Sequence, residues 1–94
     1  MSIFAVRYTY ADDEAHLAAV RPQHRDYLGE LYEAGQVLIA GPLLPPPGGG
    51  LLLVNVPDAA AAKAIADGDP LMKAGLIVAV DINEWIQIFG PLKA

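Results

Sequence analysis

This chain of 94 residues predicts an α+β fold of the ferredoxin-like type, with elements in the order β-α-β-β-α-β. Three observations carry the prediction. Apolar and β-branched segments alternate with helix-patterned ones in that order. Chain breakers fall between them, at Gly35, at Pro45–Gly50 and at Gly68-Asp69-Pro70. Two right-handed crossovers then put both helices on one face of a four-stranded antiparallel sheet.

Each element has its own local reason. Residues 3–10, Ile-Phe-Ala-Val-Arg-Tyr-Thr-Tyr, are β-branched and aromatic and predict the first strand. Asp12 and Asp13 supply turn or N-cap chemistry. A short helical piece over 14–20 reaches Arg21-Pro22, and Pro22 fits the first turn of a second helix running to Ala34. Gly35 suits the left-handed residue that ends a helix. Residues 36–43 predict the second strand, and Pro45-Pro-Pro-Gly-Gly-Gly50 a loop. Leu51–Val56 predicts the third strand, a hairpin partner of the second. Pro57-Asp58 opens an alanine-rich helix over about 58–67, and Leu71–Gly75 reads as one further turn. Residues 76–89 contain the fourth strand, with a bend near 81–84. No internal repeat or long linker divides the chain, so 1–94 is expected to be a single domain.

The strands carry a second message. A sheet wet on one face alternates apolar and polar residues. Val37–Ala40, Leu51–Val54 and Leu76–Val80 are apolar throughout, so both sheet faces are expected to be covered. The helices cover one. A second copy of the chain is expected on the other, giving a homodimer. The apolar fraction of 54% and mean hydropathy of +0.35 agree, because so small a chain buries only about 60–65% of its unfolded surface.

Composition narrows the chemistry. No apolar run reaches the ~18 residues of a membrane span, and the N-terminus lacks the pattern of a signal peptide. The expected setting is the cytoplasm. A net charge of −5 and a pI near 4.6 leave no basic footprint for nucleic acid. There is no cysteine, and Ser2 and Thr9 are the only serine and threonine, so a thiol or serine nucleophile is not expected. His16 and His24 lie eight apart, which is no metal-ligand spacing, so neither a metal nor a cofactor is expected. His, carboxylates, Tyr and Arg remain.

Among these, His24 stands out. Val20, Tyr27, Leu28 and Leu31 form an apolar helical stripe, and His24 sits inside it, aimed at the core. It is either a core histidine bonded to a carbonyl or a general acid/base. Asp69 precedes Pro70 at a helix start. It is either an N-cap or the carboxylate that orients His24, and its oxygens could hardly serve both roles fully. Arg7, Arg21 and Arg25 are the only arginines. Arg25 neighbours His24, where it could draw a carboxylate or phenolate, or simply be solvated. Tyr8, Tyr10, Tyr27 and Trp85 are core aromatics or the lining of an aromatic pocket, and His16 is a surface residue.

The ordered set Arg21-Pro-Gln-His24-Arg-Asp-Tyr-Leu28, Gly35, Gly41-Pro42-Leu43-Leu44, Leu51–Val54, Ala66-Asp-Gly-Asp69-Pro70-Leu-Met-Lys-Ala-Gly75 and Trp85 through Phe89-Gly90 resembles the YciI-like, or YCII-related, proteins. The resemblance spans nearly the whole chain. It implies a dimeric α/β barrel of ferredoxin-like subunits and a His–Asp pair as active site, here His24 and Asp69. Gly41-Pro42-Leu43 either closes one side of the pocket there or is simply a strand end with a rigid turn. Some relatives are known or suspected lyases acting on chlorinated aromatic compounds, and the fold is shared with muconolactone isomerase-like enzymes. Some carry a serine or acidic residues where this chain has Pro45–Gly50, so that loop can offer only backbone or apolar surface. The expected function is a cofactor-free lyase or isomerase acting on a small aromatic or anionic substrate. The alternative is a non-catalytic dimer that binds a small ligand.

Overall fold

The computed structural model describes residues 2–92. Its elements are β1 (Ser2–Tyr10), α1 (Glu14–Glu33), β2 (Val37–Leu43), β3 (Gly49–Val56), α2 (Ala59–Gly68), α3 (Pro70–Lys73) and β4 (Ile77–Glu84). The strands form one antiparallel sheet in the order β2-β3-β1-β4, the arrangement expected of a ferredoxin-like βαββαβ chain.

Strand alternation decides which side chains meet the helices. Phe4, Val6 and Tyr8 of β1 pair with Val54, Leu52 and Gly50 of β3 and point into the core. Leu17 and Leu28 of α1, Ala62, Ile65 and Ala66 of α2, and Leu71 of α3 close that core from above. The alternate positions Ala5, Ile39, Leu51 and Leu53 share the other face, which no helix covers. Ile39 is 48% exposed there.

Three boundaries differ from the sequence expectation, each for a local reason. The helix does not break at Arg21-Pro22: α1 is one helix of 20 residues with Pro22 inside it. Pro22 is exposed, so the hydrogen bond it cannot donate falls on the wet side, where water can take the vacated carbonyl. The third strand starts at Gly49 rather than Leu51, because Gly49 and Gly50 still pair with Leu43 and Pro42. Only glycine fits at 49, where a Cβ would lie 1.8 Å from the Tyr8 carbonyl oxygen. Asp58 caps α2 rather than joining it, accepting from the Ala61 backbone N–H at 2.8 Å. β4, Ile77–Glu84, lies within the expected 76–89. Gly35 does end α1 as expected, at φ +80°, with the Gln36 N–H returning to the Leu31 carbonyl.

Candidate active site

Three elements converge on one carboxylate. Asp69 lies in the one-residue junction between α2 and α3, 0% exposed. The Leu71 backbone N–H donates to its Oδ1 at 2.9 Å, which caps α3. The Tyr8 hydroxyl, reaching up from β1, donates to its Oδ2 at 3.2 Å. His24 of α1 brings Nδ1 to 2.8 Å from Oδ2 and 2.9 Å from Oδ1. The expectation that one carboxylate could hardly cap a helix and hold an imidazole is therefore corrected. Its two oxygens offer about four lone-pair sites, and three donors approaching from three elements occupy them without competing.

This arrangement sets the proton on the imidazole. A carboxylate only accepts, so the neutral His24 ring carries its hydrogen on Nδ1. Nε2 is left as the basic nitrogen. The His24 side chain is only 12% exposed, and the residue lines a cleft of about 460 Å³. The Tyr8 phenol is held protonated well above its ordinary range, first by burial and then by the neighbouring Asp69 charge. It is thus a fixed donor. Tyr10 and Tyr27 are raised by the same two causes in the same order, with Arg21 and Arg25 pulling Tyr10 partly back.

The cleft lies between α1 and the β2–β3 hairpin. On α1 the lining residues Arg21, His24, Arg25 and Leu28 follow the spacing i, i+3, i+4, i+7, which is one helix face. Opposite them stand Ala40, Gly41, Pro42 and Leu43 of β2, with Leu44, Pro46 and Pro47 of the following loop. All four residues expected to contact substrate, Arg25, Gly41, Pro42 and Leu43, line this cleft. The Leu44–Pro45 and Pro46–Pro47 bonds are cis.

Other residues fall elsewhere. Trp85 is not part of the cleft, and its backbone N–H donates to the Ile3 carbonyl. Tyr27 points its hydroxyl at the Ile65 carbonyl, 2.7 Å away, and braces α1 against α2. His16 sits at the exposed start of α1, where its N–H is capped by Asp13. Tyr8 was legible only as a core or pocket aromatic. Its bond to Asp69, 61 residues away, depends on packing that no local pattern records. The available signal was a hydroxyl at an inward strand position after Phe4 and Val6, which needs a buried partner.

Fold and site together define a small α+β protein with a buried carboxylate–imidazole pair at the base of one cleft. The chain belongs to the YCII-related domain family, whose model matches residues 1–86. Among solved structures it is similar to 5-chloro-2-hydroxyhydroquinone dehydrochlorinase from Burkholderia phenoliruptrix AC1100, in complex with 2,5-dihydroxybenzoquinone. The TM-score is 0.79 at 19% identity, over 89% of this chain and 93% of that one. This likeness is one of fold. No curated protein matches the chain.

Proposed function

We propose that this protein is a small cofactor-free enzyme, a lyase or isomerase, in which Nε2 of His24 moves a proton on a small substrate held in the cleft. The observation that carries the reading is the contact between His24 Nδ1 and a fully buried carboxylate, in a residue that lines a cleft. In the proposed step Nε2 takes a proton from an acidic C–H or O–H of the substrate. The imidazolium so formed is stabilised by Asp69 through Nδ1–H. The electron pair left behind either expels a leaving group as an anion, which is elimination, or shifts a double bond. In the second case the imidazolium returns the proton at another atom, which is isomerisation. The Tyr8 hydroxyl and the Leu71 N–H donate to Asp69 and act as positioning groups. Arg25, Gly41, Pro42 and Leu43 contact the substrate in this reading. The dehydrochlorinase activity of the similar structure supports elimination as the first reaction to try.

A homodimer through the uncovered sheet face is part of the same reading. Its support is a contiguous apolar patch. Ala5 pairs with Leu53, Ile39 with Leu53, and Gly41 with Leu51, all on the side without helices.

The test is a panel of chlorinated hydroquinones assayed for chloride release, with the same compounds followed for solvent deuterium uptake. His24→Gln should lower any turnover by about 10² or more, the ordinary worth of a general base. Turnover equal to wild type in His24→Gln would remove the proposal. Saturable binding in the cleft with no turnover of any compound would favour the ligand-binding reading.

A further inference from the structure

The cleft is chemically two-sided. Its α1 wall holds every charged residue that lines it: Arg21, Arg25 and Glu14. Its sheet and loop wall is apolar side chain, proline ring and glycine, apart from the Tyr10 phenol. Two of the chain's three arginines and one of its eleven acids line it, and the buried Asp69 carboxylate lies against the lining His24. Glu14 engages only one of the cations, its Oε1 lying 3.5 Å from an Arg21 terminal nitrogen, at a partly exposed site. Arg25 makes no ion pair among the described residues. On the opposite wall residue 50 is glycine, which makes way for Tyr10. A Cβ there would come within 2.9 Å of the Tyr10 hydroxyl, itself a cleft group.

Together with this wall chemistry, the geometry points to a substrate class: a small planar organic monoanion, a carboxylate or phenolate, whose charged edge lies against Arg21 and Arg25. Its apolar face lies on the Pro42–Gly50 wall. The inference deepens the proposed function and rests on it for the identity of the site. Arg21 and Arg25 stand one helical turn apart, three residues before and one after His24, so an anion bridging them sits beside the imidazole. Glu14 and the buried Asp69 both oppose further negative charge, which favours a monoanion over a dianion. The cleft volume of about 460 Å³ lies within the usual range for small-molecule sites and holds a substituted single ring.

The experiment uses benzoate and its neutral isostere benzamide, titrated into the full chain and followed by amide and side-chain NMR shifts at the cleft. Benzoate should bind and benzamide should bind at least about tenfold more weakly, the worth of one hydrogen bond to a charged group. Arg25→Gln and Arg21→Gln should each weaken benzoate, Glu14→Gln should tighten it, and added salt should weaken it. Arg25 is exposed and Gln keeps its aliphatic stem, so that variant keeps the fold. His24→Gln should preserve the preference for benzoate over benzamide. That result separates the two proposals, because the proton-transfer reading can fail while the anion preference stands. The inference is overturned if benzoate does not bind, if benzamide binds as well, if both arginine variants bind benzoate like wild type, if Glu14→Gln weakens it, or if His24→Gln abolishes the preference.

Discussion

Removing the Asp69 carboxylate unpairs three donors at once: Nδ1 of His24, the Tyr8 hydroxyl and the Leu71 N–H. A lost N-cap costs about 1 kcal/mol, and each buried donor left without a partner about 1–3 more. Asp69→Ala should therefore lower stability by about 3 kcal/mol or more in urea unfolding. A loss under about 1 kcal/mol would mean that the cap alone matters. Tyr8→Phe deletes one donor and leaves the other two. It should cost about 1.5–3 kcal/mol, as for a hydrogen bond to a charged group, and keep the His24–Asp69 contact. At this scale the sequence was half legible. His24 was found because an imidazole inside an apolar stripe must find a partner, and Asp69 because Asp-Pro begins helices. Neither local pattern joins the two features; only the family resemblance paired them. The 2.8 Å contact depends on where α3 lands against α1, a long-range packing fact.

At the scale of elements, α1 and α2 are held in register by Tyr27 and Gly68. A Cβ at 68 would come within 2.6 Å of the Tyr27 hydroxyl, which already donates to the Ile65 carbonyl. Gly68→Ala should destabilise by about 1–3 kcal/mol by overpacking, and by clearly less in a Tyr27→Phe background. Equal costs in the two backgrounds would show that the hydroxyl is not the obstacle. Pro22 makes the opposite prediction. It lies inside an exposed turn of α1, so Pro22→Ala should stabilise by restoring the i→i−4 bond, by at most the ~3 kcal/mol that proline costs a helix interior. Pro22 also explains why the sequence reading split the helix. Local propensity marks proline as a start, whereas packing of Leu17 and Leu28 onto one core carries the helix through it. The glycines of β3 misled in the same way. As a loop signal Pro45–Gly50 reads as one block, yet the backbone of Gly49 and Gly50 completes the sheet.

For the whole molecule, two properties follow from the arrangement. Tyr8, Tyr10 and Tyr27 all have phenols raised by burial and then by Asp69. Below the unfolded tyrosine pKa of about 10 both states keep these protons and stability is unaffected. Above it the unfolded chain loses protons that the folded chain retains, so stability falls as pH rises. Thermal unfolding from about pH 9 to 11 should show that fall, and Tyr8→Phe should flatten it. The second property is the uncovered face bearing Ile39, Leu51 and Leu53. Sedimentation should give twice the 9.9 kDa chain mass for the wild type, and a monomer for Leu51→Lys. A wild-type monomer would refute the dimer. The ferredoxin-like order was readable at this scale because crossover rules leave few topologies for β-α-β-β-α-β. The unbroken apolar strands predicted cover on both faces. The helices account for one, and the other is what sedimentation examines.

The central claim is that Asp69 fixes the His24 proton on Nδ1 and leaves Nε2 bare toward the cleft. Long-range ¹⁵N–¹H correlation of the imidazole reads this directly, since it distinguishes protonated from unprotonated ring nitrogens in the neutral form. The account predicts a protonated Nδ1 and a bare Nε2 in the wild type, with that preference lost in Asp69→Asn. A hydrogen on Nε2 in the wild type, or a tautomer unchanged by Asp69→Asn, would contradict it.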